Sequence, residues 1–91
     1  MGPKKVTLTI RNRLGLHARP AALFVQTANL FQSDIEVQKG KRKEKVNGKS
    51  IMGIMTLAAG QGSQITITAS GPDSAKAISS LTRLIRGNFG E

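Results

Sequence analysis

Residues 4–31 read KKVTLTIRNRLGLHARPAALFVQTANLF, and this stretch changes its hydrophobic period halfway along. Val6, Leu8 and Ile10 alternate with Lys5, Thr7 and Thr9, the period-two pattern of a strand with one wet face, enriched in β-branched residues. Asn12 to Gly15 forms a turn-rich connection. From residue 18 to 31 the apolar positions Ala21, Phe24, Val25, Ala28 and Phe31 fall at helical spacing. Pro20 belongs in the first turn of that helix, where its missing N–H costs nothing. A strand, a short loop and a helix therefore follow one another, and the helix opens beside His17.

The rest of the chain repeats both patterns. Residues 34–39 alternate Ile35 and Val37 with polar neighbours and predict a second strand. Gly40 and the basic residues after it predict a hairpin turn, with a short third strand near Lys43–Val46. Asn47-Gly48 is a turn signal. Ser50 stands as N-cap before Ile51, Met52, Ile54, Met55 and Leu57, a short amphipathic helix broken by Gly60 and Gly62. Residues 63–70 place Ile65 and Ile67 on one face of a further strand. Gly71-Pro72-Asp73-Ser74 opens a last helix with Ala75, Ile78, Leu81, Leu84 and Ile85 on one side, ended by Gly87.

The order β-α-β-β-α-β-α, with one apolar face per strand, predicts a four-stranded antiparallel sheet wetted on one side. Three helices cover its other face, giving an open-faced α+β two-layer sandwich. At 91 residues the chain suits one domain spanning residues 1–91 with a small aliphatic core, and a surface site rather than an internal cavity.

Composition excludes several function classes. The absence of cysteine removes a disulfide framework, a thiolate metal site and a cysteine nucleophile. One histidine and five acidic residues argue against a dedicated metal site, and no cofactor is expected. No signal peptide or membrane span is visible, so a cytoplasmic location is expected. The formal charge of +9 points to an anionic partner. Lys39, Lys41, Arg42, Lys43, Lys45 and Lys49 crowd one short stretch, relieved only by Glu44, and read either as a solvated hairpin tip or as a phosphate-binding patch. Two lookalike motifs fail. Gly48-Lys49-Ser50 resembles the end of a P-loop, but Lys43 occupies the position of its required first glycine. Met1-Gly2 resembles a myristoylation signal, but Val6 stands where Ser or Thr is needed.

The segment that carries chemistry is Gly15-Leu16-His17-Ala18-Arg19-Pro20. At the mouth of a helix, unpaired first-turn N–H groups point toward the imidazole. The positive end of the helix dipole there is worth ~0.3–1 kcal/mol to a nearby anion, and Arg19 supplies a guanidinium for phosphate oxygens. A phosphate on His17 would meet backbone donors, a dipole and a cation together. Those positive groups disfavour imidazolium, and a neutral ring nitrogen is what attack on phosphorus requires. No carboxylate accompanies the motif in sequence, which suits a carrier that lends its nucleophile to other enzymes better than a self-sufficient hydrolase. The alternative is a lone histidine serving as a cap or surface residue. The coincidence of helix start, Arg19 and Pro20 favours function.

Gly15-Leu16-His17-Ala18-Arg19-Pro20-Ala21 and Lys49-Ser50-Ile51-Met52-Gly53-Ile54-Met55, in that order, resemble the HPr family. These are the histidine-containing phosphocarriers of the bacterial phosphoenolpyruvate-dependent sugar phosphotransferase system. The resemblance covers nearly the whole chain, and the element order agrees with that family's fold. It implies a carrier rather than an enzyme, with phosphate on Nδ1 of His17, received from enzyme I and given to sugar-specific enzyme IIA domains. It also implies that Arg19 steadies the phosphoryl group, and that Ala18, Ala22, Ile51, Met52 and Met55 form the docking surface, where methionine's flexibility suits several partners. Ser50 then has a second role besides capping. In Gram-positive relatives the matching serine is phosphorylated by HPr kinase/phosphorylase, and the product acts as corepressor with a catabolite-control transcription regulator. A monomer is expected of a shuttling carrier.

The chain departs from the family in being strongly basic and in a slightly longer segment between Gly40 and Ser50, expected to lie away from His17. An alternative within the family is an HPr-like regulatory protein, of the catabolite-repression or nitrogen branch. The regulatory paralogue type lacks the reactive histidine present here, and the Ser50 segment favours the carbohydrate branch. A rival from another class is a basic nucleic-acid-binding domain. It has the charge but no aromatic residues placed for base stacking, and no helix-turn-helix or zinc-finger pattern.

Overall fold

A computed structural model describes residues 2–91; Met1, the first residue of the expected domain and of the rejected myristoylation signal, lies outside them. Four strands, β1 (Lys4–Thr9), β2 (Asp34–Lys39), β3 (Val46–Asn47) and β4 (Gln64–Ser70), form one sheet in the order β1-β4-β2-β3, with every pairing antiparallel. Helices α1 (Ala18–Ala28), α2 (Ile51–Thr56) and α3 (Ser74–Arg86) alternate with them, and a 3₁₀ turn at Asn88–Gly90 follows. This is the open-faced α+β sandwich that the periodicities predict.

Register explains the two layers. Val6 and Val37 both oppose Ile67, Leu8 opposes Ile65, and Ile35 opposes Ala69, so the apolar residues of three strands share one face. Against that face α1 places Ala21, Phe24 and Ala28, α2 places Ile54, and α3 places Ala77, Leu81 and Ile85, all buried. The opposite face carries Lys5, Thr7, Glu36, Gln38, Thr66 and Thr68, with the Thr7 and Thr66 hydroxyls 2.9 Å apart across the strands.

Boundaries shift where local hydrogen bonding overrides the pattern. The helical spacing runs on to Phe31, but α1 stops at Ala28. Leu30 and Phe31 donate to Thr27 and Ala28, i→i−3 bonds that tighten the last turn, while the Asn29 side chain takes the Val25 carbonyl. The third strand, expected at Lys43–Val46, is only Val46–Asn47. Val46 alone in that stretch has an apolar side chain to set against the core, and the like charges before it remain exposed. In the last helix Ala77, not Ala75, is buried beside Leu81 and Ile85. The Gly48 amide donates to Ile35 O at 2.7 Å, which removes it as a phosphate ligand and agrees with rejection of the P-loop reading.

Asp73 caps no amide of its own helix. Its carboxylate crosses to the α1–β2 connection, accepting from Gln32 N–H (2.9 Å), Ser33 N–H (3.0 Å) and Ser33 Oγ (2.6 Å). The Ser33 hydroxyl, then the Gln32 amide, hold its pKa below the ordinary carboxylate value. A lowered folded-state pKa stabilises the fold above the unfolded value of about 3.8, and this contribution disappears as pH falls through the folded value. Asp73→Asn is therefore expected to lower the urea midpoint at neutral pH and to flatten the decline of that midpoint below about pH 4. A wild-type acid limb in the variant would refute the link.

Candidate functional site

The loop after β1 sets the site. Ile10 exchanges hydrogen bonds with the 62–63 turn, through Ile10 N–H to Ser63 O and Gly62 N–H to Ile10 O, and Leu16 N–H donates to Ala59 O at 2.9 Å. Between these anchors the chain turns at Gly15, whose φ of +68° suits a residue without a β-carbon. His17 follows as the N-cap of α1 in extended conformation, and its side chain makes no capping bond. Its carbonyl accepts the Ala21 amide. Pro20 has no amide, so the free first-turn donors are those of Ala18 and Arg19. The first turn contains no acidic residue. An incoming anion would meet these donors without a competing carboxylate on the helix.

The imidazole is about one-third exposed, and its Nε2 lies 3.2 Å from Oε2 of Glu91. This corrects the expectation that no carboxylate accompanies the motif, because Glu91 is 74 positions away in sequence. Phe89 brings it there. The residue is buried, with φ of 56°, in the 3₁₀ turn after α3. An apolar residue just past the helix-ending glycine is a known anchoring signal, and it was the one clue in the sequence. The other oxygen of the Glu91 side chain accepts from Asn12 Nδ2 at 3.2 Å, and the same amide donates to Gly15 O at 2.6 Å. Asn12 is 5% exposed, so one buried amide ties the turn before His17 to the carboxylate that faces it.

The chemistry follows from the donor inventory. An ionised carboxylate accepts and cannot donate, so the contact calls for the proton on Nε2. In the neutral ring the lone pair then lies on Nδ1. Arg19 is exposed one helical position beyond Ala18, and its guanidinium makes no hydrogen bond or ion pair among the described residues. Beside His17 a shallow groove of about 220 Å³ is lined by Leu14, Leu16, Ala58, Ala59 and Gly60, a surface rather than a cavity.

Of the expected docking residues, Met52 is 70% exposed, Ile51 and Met55 about 40%, Ala18 is exposed and Ala22 half-buried. Leu14, which the sequence reading did not single out, is 69% exposed. Ser50 caps α2 as expected, its Oγ accepting from Gly53 N–H at 3.1 Å. The structure does not bring it to His17. Ser50 opens α2, whereas the 58–60 segment that flanks His17 follows the other end of that helix. Among the described residues no cluster of metal-ligating side chains occurs, and no helix is long and apolar enough to cross a membrane.

The chain is similar to known proteins. A family model described as the PTS HPr component phosphorylation site matches residues 4–87. The chain is 49% identical over 87 residues to the phosphocarrier protein HPr of Neisseria meningitidis, covering 96% of each chain. It is 47% identical over 77 residues to the HPr-like protein Crh of Bacillus subtilis, covering 85% of this chain and 88% of that one. The crystal structure of HPr from Thermoanaerobacter tengcongensis superposes with a TM-score of 0.91 at 55% identity, over 97% of each chain.

Proposed function

The chain belongs to the HPr family, the phosphocarrier proteins of the phosphotransferase system, and on that premise we propose that His17 is the phosphoryl acceptor, charged by enzyme I and discharged to enzyme IIA domains. The observation that carries the reading is the His17 Nε2 contact with Glu91 at the mouth of α1, since it leaves Nδ1 as the nucleophilic nitrogen. In the transfer step the Nδ1 lone pair attacks phosphorus. The new N–P bond forms as the bond to the donor's residue breaks, and that bond's electron pair leaves with the donor. The amides of Ala18 and Arg19 and the Arg19 guanidinium receive the phosphoryl oxygens. Discharge to the acceptor is the reverse displacement. No proton need leave His17, so the chain can work without a general base of its own. The whole chain is read as one domain acting as a cytoplasmic monomer, with Ala18, Ala22, Ile51, Met52 and Met55 as the partner-facing surface.

The test is phosphorylation by phosphoenolpyruvate and enzyme I, followed by intact mass and acid lability. One acid-labile phosphate supports the reading; none, with the enzyme active on a control carrier, overturns it. Arg19→Ala is expected to slow transfer about 10- to 100-fold, the scale of losing one charge-assisted contact of about 1.5–3 kcal/mol, with an unchanged urea midpoint. A fallen midpoint would make Arg19 structural.

Ser50 supports a regulatory layer on the same reading. A phosphoserine adds about −1.5 to −2 charge at a helix N-terminus, where it is tolerated, but it also puts an anion among Ile51, Met52 and Met55. Phosphorylation by HPr kinase/phosphorylase and docking to a catabolite-control regulator would follow. Ser50→Asp is expected to lower the rate of His17 phosphorylation severalfold through a weaker encounter; equal rates would remove the proposal.

A further inference from the structure

Among the described residues the only approach of a basic side-chain nitrogen to a carboxylate within 4.0 Å is that of His17 to Glu91. All fourteen lysines and arginines are thus without a carboxylate partner at that distance, and their placement is uneven. Asp34 opposes Ser70 at one end of the sheet, and Asp73 lies just beyond it. His17 lies at the other end, where β1 finishes and β4 begins. Lys39 is there as well, because β2 ends opposite Ile65 and the Gly40 amide donates to Gln64 O. Lys39 Nζ donates to Ala58 O at 3.0 Å, within the segment that lines the groove beside His17. The β2–β3 loop therefore leaves the sheet at the end where His17 lies, whereas the basic hairpin was expected to lie away from it. Lys41 and Arg42 follow, exposed, in a loop held by the turn at Gly40 and by Gln38 Nε2 donating to Arg42 O. On the other side of the same end, Arg11 and Arg86 line one cleft with Thr9.

We infer that the β2–β3 loop, through Lys41 and Arg42, is a second contact for an acidic protein partner that docks at His17, widening the docking surface across the end of the sheet. The inference rests on the phosphocarrier reading, since it concerns the partner that meets that site. Clustered unpaired cations beside a reactive group raise encounter rates with an acidic surface, an effect screened by salt. A protein is favoured over nucleic acid because the chain offers no exposed aromatic for base stacking: Phe24 and Phe89 are buried and Phe31 is half-buried. The exposed Leu14 beside the site is the kind of apolar residue that protein interfaces cover.

The test compares initial rates of phosphorylation by enzyme I and phosphoenolpyruvate for wild type, K41E/R42E and K4E/K76E. The last pair makes the same charge change at the far end. K41E/R42E is expected to lose about tenfold in kcat/KM at low salt with kcat retained, the loss closing by about 0.5 M salt, while K4E/K76E stays within about twofold of wild type. Equal losses in both pairs would reduce the effect to net charge and overturn the inference, as would no loss in K41E/R42E or a loss that persists at high salt. Duplex DNA binding that depends on Lys41 and Arg42 at physiological salt, with transfer unchanged, would reassign the loop to nucleic acid. A wild-type chain that enzyme I leaves unphosphorylated would overturn the carrier reading itself, a result distinct from all of these.

Discussion

His17→Ala is expected to take up no acid-labile phosphate under conditions in which the wild-type chain gains one, a complete loss. The ring is the only imidazole in the chain, and no cysteine thiol can substitute for it. The neighbouring groups bind or orient and do not attack: Arg19 has no lone pair to offer, the Ala18 and Arg19 amides donate, and Glu91 is proposed to hold the ring. Stability should barely change. The histidine is about one-third exposed and caps no amide, so what is lost is one solvent-screened contact with a carboxylate, worth about 0–1 kcal/mol. Mass spectrometry after incubation with phosphoenolpyruvate and enzyme I reads the first expectation, and urea unfolding reads the second. An acid-labile phosphate on the alanine variant would place the chemistry elsewhere.

Gly15→Ala should damage both the fold and the site. The residue has φ of +68°, where a β-carbon costs about 1–3 kcal/mol. The new carbon would press on Ala59 O and approach Gly60 Cα to 2.6 Å, forcing backbone apart at a further cost of about 1–3 kcal/mol. The backbone segments it separates are those joined by Leu16 N–H to Ala59 O, and Gly15 O is itself the acceptor for Asn12. The urea midpoint should fall markedly and phosphorylation should slow in the fraction that remains folded, because the ring loses the loop that presents it. An unchanged midpoint would show that the turn can relax around a methyl group. Normal stability combined with slow transfer in this variant would separate the two effects and assign the turn to presentation alone.

The buried face of each core strand and the helix openings were legible from residue order, because each depends on neighbours within a few positions. Val6, Leu8, Ile35, Val37, Ile65 and Ile67 alternate with polar residues, and alternation in an extended chain decides which face is buried. Pro20 just inside α1 and Ser50 just before α2 mark their helix starts for equally local reasons. The proposal of His17 and Arg19 as a phosphate site has the same local basis: the donors at a helix mouth are a property of the helix that begins there.

What tertiary structure decided lies where distant segments meet. Glu91 reaches His17 only because Phe89 finds a place in the core after α3 has crossed the sheet, and no spacing rule connects positions 17 and 91. Asn12 looked like an ordinary turn residue, yet its buried amide bridges that carboxylate and the Gly15 carbonyl. Asp73 lies in the turn that opens the last helix, and its carboxylate serves the loop at Gln32 and Ser33. The basic stretch after Lys39 was visible as charge, but its place at the His17 end of the sheet follows from β2 pairing antiparallel to β4, which carries the end of β2 to the end of the sheet where β1 stops. Local pattern determined which surfaces the chain must bury; the order of strands in the sheet determined which polar groups became neighbours, since hydrogen bonds and charges act over a few ångströms regardless of separation along the chain.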